Sequence, residues 1–419
     1  SLEKSMLVKG QIPENEPIVS IGLVLPVDEQ KSIEIEFGET KEKIQIRANE
    51  KNLFLNGNPE ENIYLTDSSF TLNPIRAGRG FHWEKQISIT VEGELEIKIV
   101  DGYLFVINHI SLEKYLICVA TSEMSGECPQ ALLESQTVAA RSWLLAAAEQ
   151  KHADLGLDAC NDDCCQRYQG MGNLTNAAIA ASEKTRGRIL IYDGKICDTR
   201  YSKSCGGISE NNENAWGGEP KPYLRAIHDG NNSTIPNLKS ESDLKKWLTD
   251  DQHCFCGPDY VPGNQLEKYL GNVDKSGTYF RWNVSFTQEE LTILINGKTG
   301  KRFESIQSLQ PLERGISGRI IQLRIDGKIN GEPSDLILEN EYEIRWALHP
   351  DFLYSSAFII EANSTADSLP SRFTFKGAGW GHGVGLCQIG ALGMSLNGTS
   401  FTDILSHYFQ STELRKIYD

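Results

Sequence analysis

No stretch of this 419-residue chain approaches the roughly 18 uninterrupted apolar residues that a membrane-spanning helix needs. Positive charge is also scarce. Lys and Arg total 41 against 57 Asp and Glu, a net charge of −16, and no Lys/Arg block offsets it. A general nucleic-acid binder should be basic, so no nucleic acid is expected as a partner. Cysteine is thin: ten in the whole chain, far below the density of a disulfide scaffold. Several catalytic signatures are missing too. Asn296, Gly297, Lys298 and Thr299 invite a phosphate-loop reading, but the upstream Gly position holds Thr292. Residues 377–385 contain no complete G-x-G-x-x-G in any register, and neither H-E-x-x-H nor G-x-S-x-G occurs. Nucleotide binding and the common hydrolase templates lose their support. The chain opens at Ser1 without a basic n-region and apolar h-region, which leaves export open.

What is present is a folded composition: 39% apolar, 23% charged, and a length suited to two or three domains. Residues 17–110 read as strands, short runs of Val, Ile, Leu and Phe with Asn56-Gly57 and Asp101-Gly102 as hairpin turns. The pattern then turns helical. Ser111 is the candidate N-cap of a helix with Leu112, Tyr115, Leu116 and Val119 on one side, and Pro129 opens a second helix to about Gln150. Glu123 falls in the tight junction between them. A third helix spans 176–185, and Asp193-Gly194 makes a hairpin. Residues 209–260 look loop-rich. Strands return over 280–362, where Thr287 and Glu290 form a capping box. The fold class is α+β: a β-rich N-terminal region (1–108), a mixed catalytic core whose helix pair carries Glu123 (109–392, with a β-rich insertion at about 280–362), and a helical tail (393–419) packed on the core.

Four ordered blocks resemble one family. The first joins Tyr115, Leu116, Ser122, Glu123, Met124, Pro129, Gln136, Arg141 and Ser142. The second runs from Asp158 and Cys160 through Cys165, Gln166, Tyr168 and Gly170. The third is the run 201–210 with Trp216, Gly217, Pro222, Tyr223 and Leu224. The fourth runs from Gly379 through Trp380, His382 and Gln388 to Ala391. Together they resemble the sporulation-protein-D and amidase-enhancer family over about 110–392. The resemblance implies a bacterial cell-wall protein, exported and facing the periplasm or cell wall. Its expected partners are peptidoglycan glycan strands and a cell-wall amidase. The activity it implies is lytic transglycosylation giving 1,6-anhydro-muramyl ends, or else non-catalytic enhancement of an N-acetylmuramoyl-L-alanine amidase.

The resemblance places the family's catalytic Glu on Glu123 and its nearby Arg on Arg141. Hydrolysis of a glycosidic bond usually takes two carboxyl groups, but a transglycosylase needs one. Protonated, it donates to the leaving oxygen; ionised, it removes the proton from the muramyl C6 hydroxyl that attacks C1. Arg141 close to Glu123 would oppose the acid step, so it either holds substrate, fixes Glu123 at a distance, or makes a helix–helix salt bridge. Gln136, Tyr201, Lys203, Ser204, Gly206, Gly207, Glu210, Trp216, Trp380, His382 and Gln388 are candidate substrate contacts. Lys203 suits a muramyl carboxylate and the tryptophans suit sugar faces. The glycines either admit substrate or make a tight crossing. The chemistry requires no cofactor, but Cys160, Cys164 and Cys165 suit zinc with a ligand from elsewhere, disulfides, or free thiols. Cys254 and Cys256 with His253 are a weaker metal candidate, and a zinc hydrolase is a third functional reading. The three stretches around Glu123, 201–210 and 380–388 are expected to converge on one concave site.

Overall fold

The computed structural model describes residues 5–81, 83–271, 278–364 and 368–419. The chain divides into two compact units. Ser1–Asp198 with Lys268–Val273 and Glu413–Asp419 form the first; Thr199–Glu267 with Asp274–Thr412 form the second.

The first unit begins as strands β1 (Ile18–Val24), β2 (Ser32–Phe37), β3 (Lys43–Ala48), β4 (Leu53–Leu55), β5 (Asn58–Glu60), β6 (Ile63–Leu65), β7 (Phe70–Ala77), β8 (Lys85–Val91), β9 (Glu94–Val100) and β10 (Tyr103–Ser111). Along β3 exposed and buried positions alternate, as a half-buried strand requires. The two hairpin turns are where the sequence puts them. Asn56 and Gly57 have φ of 49° and 88°, Asp101 and Gly102 51° and 81°, the paired positive φ values of a type I′ turn. They join β4 to β5 and β9 to β10.

Helices follow: α1 (Leu112–Glu123) directly out of β10, then α2 (Gln130–Ala146). After β11 (Ala159–Cys160) come α3 (Asn176–Thr185), β12 (Arg188–Tyr192) and β13 (Lys195–Ile196). The strands make a six-stranded sheet, β5-β4-β3-β2-β7-β8, and a five-stranded one, β11-β1-β10-β9-β6. Val19, Ile21, Ile35, Ile46, Phe70 and Val106 share one core with Tyr115, Leu116 and Val119 of α1 and Leu144 of α2. This shared core is why the first unit runs on to Asp198 instead of stopping at 108. Ser111 occupies the N-cap place of α1, but its side chain caps nothing. The first amides are met by Pro17 O, 3.0 Å from Leu112 N, and Glu16 Oε1, 2.9 Å from Glu113 N. A cap contributes about 1 kcal/mol, whereas each fully buried Leu contributes roughly 1.5–3 kcal/mol; packing, not the cap, holds α1. Helix α2 ends at Ala147, left-handed at φ 49°, earlier than the expected 150.

The second unit starts with β14 (Tyr201–Ser202), α4 (Asn212–Trp216) and α5 (Glu241–Thr249), and of α6 (Gly263–Leu270) it holds the residues up to Glu267. Helix α5 lies in a region whose sequence looks like loop. Ser240 caps it, and Leu244 and Trp247, three apart, bury one narrow face. The expected β-rich segment holds β15 (Arg281–Thr287), α7 (Gln288–Thr299), β16 (Ser305–Arg314), β17 (Ile320–Ile329), β18 (Glu332–Leu338), α8 (Glu341–Ala347) and β19 (Phe358–Ala362). Next come β20 (Arg372–Ala378), β21 (Leu386–Cys387), α9 (Gln388–Leu396) and α10 (Phe401–Tyr408). The Thr287–Glu290 capping box is formed in both directions. Sheets β15-β20-β19 and β16-β17-β18 enclose a core of Trp282, Phe286, Leu291, Leu323, Phe358, Phe373 and Phe375. The tail is less helical than expected: it ends in β22 (Glu413–Lys416), antiparallel to β12. Among the described residues no helix is long and apolar enough to cross a membrane.

Candidate functional site

Glu123 is the last residue of α1 and only 9% exposed. Its Oε1 accepts the Arg167 backbone N–H at 3.0 Å. The preceding Ser122 Oγ accepts from Gln169 N at 3.1 Å. Further tethers fix the same loop: Tyr115 OH donates to Gln166 Oε1 (3.0 Å), Gln166 Nε2 to Ala140 O (3.1 Å), and Tyr168 OH to Asn108 Oδ1 (2.7 Å). Residues 166–169 are thus laid across the end of the helix that carries the candidate acid.

Arg141 on α2 is fully buried and points its hydrogen bonds elsewhere. Nε donates to Glu113 Oε2 at 3.0 Å and Nη2 donates to Oε1; Nη1 donates to Arg188 O at 2.9 Å. Tyr418 OH adds a 2.6 Å bond to Glu113. Of the roles open to Arg141, the structure shows the helix–helix salt bridge, formed with Glu113. Gln136 on the same helix is also buried.

The cysteine loop closes on a histidine that sequence reasoning missed. Ligand atoms of His152, Cys160, Cys164 and Cys165 all lie within 4.8 Å of one another. Cys160 and Cys164 sulfurs are 3.2 Å apart, and Cys164 Sγ is 3.6 Å from His152 Nε2. None of the ten cysteines, all of them among the described residues, is in a disulfide, so the disulfide alternative is not what forms here. Hydrogen bonds from Cys160 and Cys165, with His152 beside it, hold the Cys164 thiol well below its usual range. Three sulfurs and one imidazole fit a closed tetrahedral zinc set. In the second unit Cys205, Asp229, Cys256 and Cys387 also bring their ligand atoms within 4.8 Å. Of the weaker sequence candidates only Cys256 joins that group; His253 pairs with Asp259, and Cys254 Sγ lies 3.8 Å from Gly207 O.

The second and third expected stretches meet within the second unit. Strands β14 and β21 pair in parallel, Ser204 and Trp380 exchange two backbone hydrogen bonds (3.0 and 2.8 Å), and Ile389 N donates to Lys203 O at 3.0 Å. The glycines serve this internal crossing. A Cβ on Gly206, at φ 78°, would lie 2.6 Å from Gly379 N, and one on Gly383 would lie 2.4 Å from the Arg319 guanidinium. Arg319, unforeseen in the sequence, is buried and bonds the carbonyls of Cys205, Ile208 and Gly381. Glu210 accepts from Ile316 N, Ser317 N and Ser317 Oγ, anchoring a turn. Trp380 stacks on Tyr279 with centroids 4.6 Å apart, and Gln388 is buried at the start of α9.

Trp216 is different: 41% exposed, with the Arg200 guanidinium 4.5 Å from its centroid and the His382 ring edge-on at 5.3 Å. Burial, then Arg200, Arg319 and Arg345, push the His382 imidazole down to about 3, so it is neutral near pH 7. Its Nδ1 accepts from Val384 N at 2.9 Å. Tyr201 lies in β14, Lys203 and Ser204 follow it with the backbone bonds to Ile389 and Trp380 given above, and Gly207 O accepts from Asp229 N at 2.8 Å. Glu123, Arg141 and Gln136 belong to the first unit, the remaining substrate candidates to the second.

A family model described as Stage II sporulation protein matches residues 100–192, and one described as a domain of unknown function matches 210–385. An uncharacterized protein of Brachyspira hyodysenteriae is 25% identical over 372 residues, 89% of this chain and 80% of its own. The amidase enhancer of Bacillus subtilis is 24% identical over 315 residues, 71% of this chain; the match spans only 39% of that relative. Stage II sporulation protein D of Bacillus amyloliquefaciens is 23% identical over 326 residues, 74% of this chain and 75% of its own. The chain is therefore related at family level to the sporulation-protein-D and amidase-enhancer proteins, at low identity and over part of its length.

Proposed function

We propose that the protein binds peptidoglycan glycan strands outside the cytoplasm and supports a cell-wall N-acetylmuramoyl-L-alanine amidase. The observation that carries this reading is the exposed Trp216 indole, fixed by Arg200 and by the edge of His382. An apolar face held in one orientation suits the face of a pyranose ring, because little side-chain freedom is lost on binding. A neutral His382 adds no charge to that surface and acts by positioning the indole. Lys203 supplies a cation for muramyl carboxylates in a chain whose net charge of −16 would otherwise repel them. The amidase enhancer among its relatives supports the partnership.

A second reading, lytic transglycosylation, is favoured by Glu123. It is a carboxylate at a buried helix end with a loop laid over it. The protonated acid gives its proton to the leaving glycosidic oxygen as the C1–O bond breaks. The muramyl C6 oxygen then bonds to C1, and its proton returns to the carboxylate. Arg141 takes part only by joining α2 to α1 through Glu113. Zinc held by His152, Cys160, Cys164 and Cys165 would fasten the loop whose Arg167 N–H meets Glu123. Four protein ligands leave no position for an activated water, so this cluster does not support the zinc-hydrolase reading.

One experiment separates the readings. Denuded glycan strands are incubated with wild type, Trp216→Ala and Glu123→Gln, then scored for cosedimentation and for 1,6-anhydro-muramyl ends. Wild type and Glu123→Gln should bind alike, and Trp216→Ala about tenfold more weakly, equivalent to about 1.4 kcal/mol. Wild-type protein that fails to sediment with glycan overturns the binding reading. Anhydro ends made by wild type and not by Glu123→Gln transfer the assignment to the enzyme.

A further inference from the structure

We propose that Cys205, Asp229, Cys256 and Cys387 form a second, structural zinc site, separate from the His152 cluster and independent of the glycan reading. The spacing fits first. Cys205 Sγ is 3.9 Å from Cys256 Sγ and 3.3 Å from Asp229 Oδ2. A tetrahedral zinc with Zn–S near 2.3 Å and Zn–O near 2.0 Å has S···S edges of about 3.8 Å and S···O edges of about 3.5 Å. All four side chains are buried. Three thiols and a carboxylate turned toward one point, away from water, are a costly arrangement unless something cationic joins them.

The surroundings suit sulfur ligands. Backbone N–H groups point at sulfur three times: Cys205 N at Cys387 Sγ (3.2 Å), Gly207 N at Cys205 Sγ (3.4 Å) and Gly390 N at Cys387 Sγ (3.3 Å). A neutral thiol is a weak acceptor, while an ionised sulfur attracts such donors. Cys387 is also the N-cap of α9, where the helix dipole favours negative charge. The carboxylate is aimed: His407 Nε2 lies 2.8 Å from Asp229 Oδ1, and Tyr408 OH donates to Oδ2 at 3.1 Å. A dication with three thiolates and one carboxylate leaves a net negative centre. Two guanidiniums stand beside it, Arg281 on Gly206 O (2.8 Å) and Arg319 on Cys205 O (3.3 Å). Even the glycine at 390 fits, since a Cβ there would lie 2.3 Å from Asp229 Oδ2.

With four protein ligands the site is closed, and its role is architectural. It ties the turn after β14 to the start of α9, 182 residues away, and both to the segments holding Asp229 and Cys256.

The test counts metal. Full-length protein, purified without chelator, should carry two zinc ions per chain by elemental analysis, and Cys160→Ser should keep one. In the Cys160→Ser background a further Cys256→Ser or Cys387→Ser should remove it. If those variants do not fold, cobalt titration of metal-stripped Cys160→Ser provides the count. One equivalent with sulfur-to-cobalt charge-transfer absorption of about three thiolates supports the site. A folded Cys160→Ser protein that holds no zinc and takes up no cobalt overturns it.

Discussion

His382 shows how one side chain can serve a surface without chemistry of its own. The imidazole is held near 3 by burial and by Arg200, Arg319 and Arg345, against about 6.5 in an unfolded chain. Between those values the unfolded chain binds the proton and the folded one does not. Stability therefore falls as pH drops from about 6.5 toward 3 and recovers as pH rises. His382→Gln removes that contribution. Wild type should lose melting temperature more steeply than the variant over this window, and parallel curves would show that the ring is not held neutral. The same surroundings were invisible in the sequence. His382 and Trp216 are far apart along the chain, and nothing at either position announces the Arg200 guanidinium over the Trp216 ring.

At the scale of elements, α1 and α2 are joined by the buried Arg141–Glu113 pair, with Tyr418 closing it from the C-terminal end. Removing one partner strands a buried charge, so Arg141→Ala should cost roughly 3–5 kcal/mol. The double change Arg141→Leu with Glu113→Leu should cost clearly less. Urea unfolding of the three proteins measures this, and a near-neutral Arg141→Ala would mean the pair is solvent-relaxed. The hairpins and the capped start of α7 were legible beforehand because Asn-Gly, Asp-Gly and Thr-x-x-Glu act locally. Helix α5 was not, because two buried residues, Leu244 and Trp247, give too narrow a stripe among polar neighbours. For the cysteine loop the sulfurs could be read, and His152 was close at hand in the chain. The Cys205 group could not be read, since its four residues meet only through tertiary structure.

For the whole molecule, two units each carry one part of the account: the first holds Glu123 under its cysteine loop, the second holds the Trp216 surface beside its glycine crossing. Among the described residues Trp216 (41%) and Trp346 (36%) expose an indole, and Trp216 is the one held by both a guanidinium and an imidazole edge, which is the basis of the proposed glycan contact. The most direct test of the central claim is the rate at which an N-acetylmuramoyl-L-alanine amidase frees stem peptides from purified peptidoglycan with and without this protein. A rise in rate that saturates with added protein, persists in Glu123→Gln and is lost in Trp216→Ala is what the account predicts. An amidase rate unchanged at every concentration of the wild-type protein would contradict it.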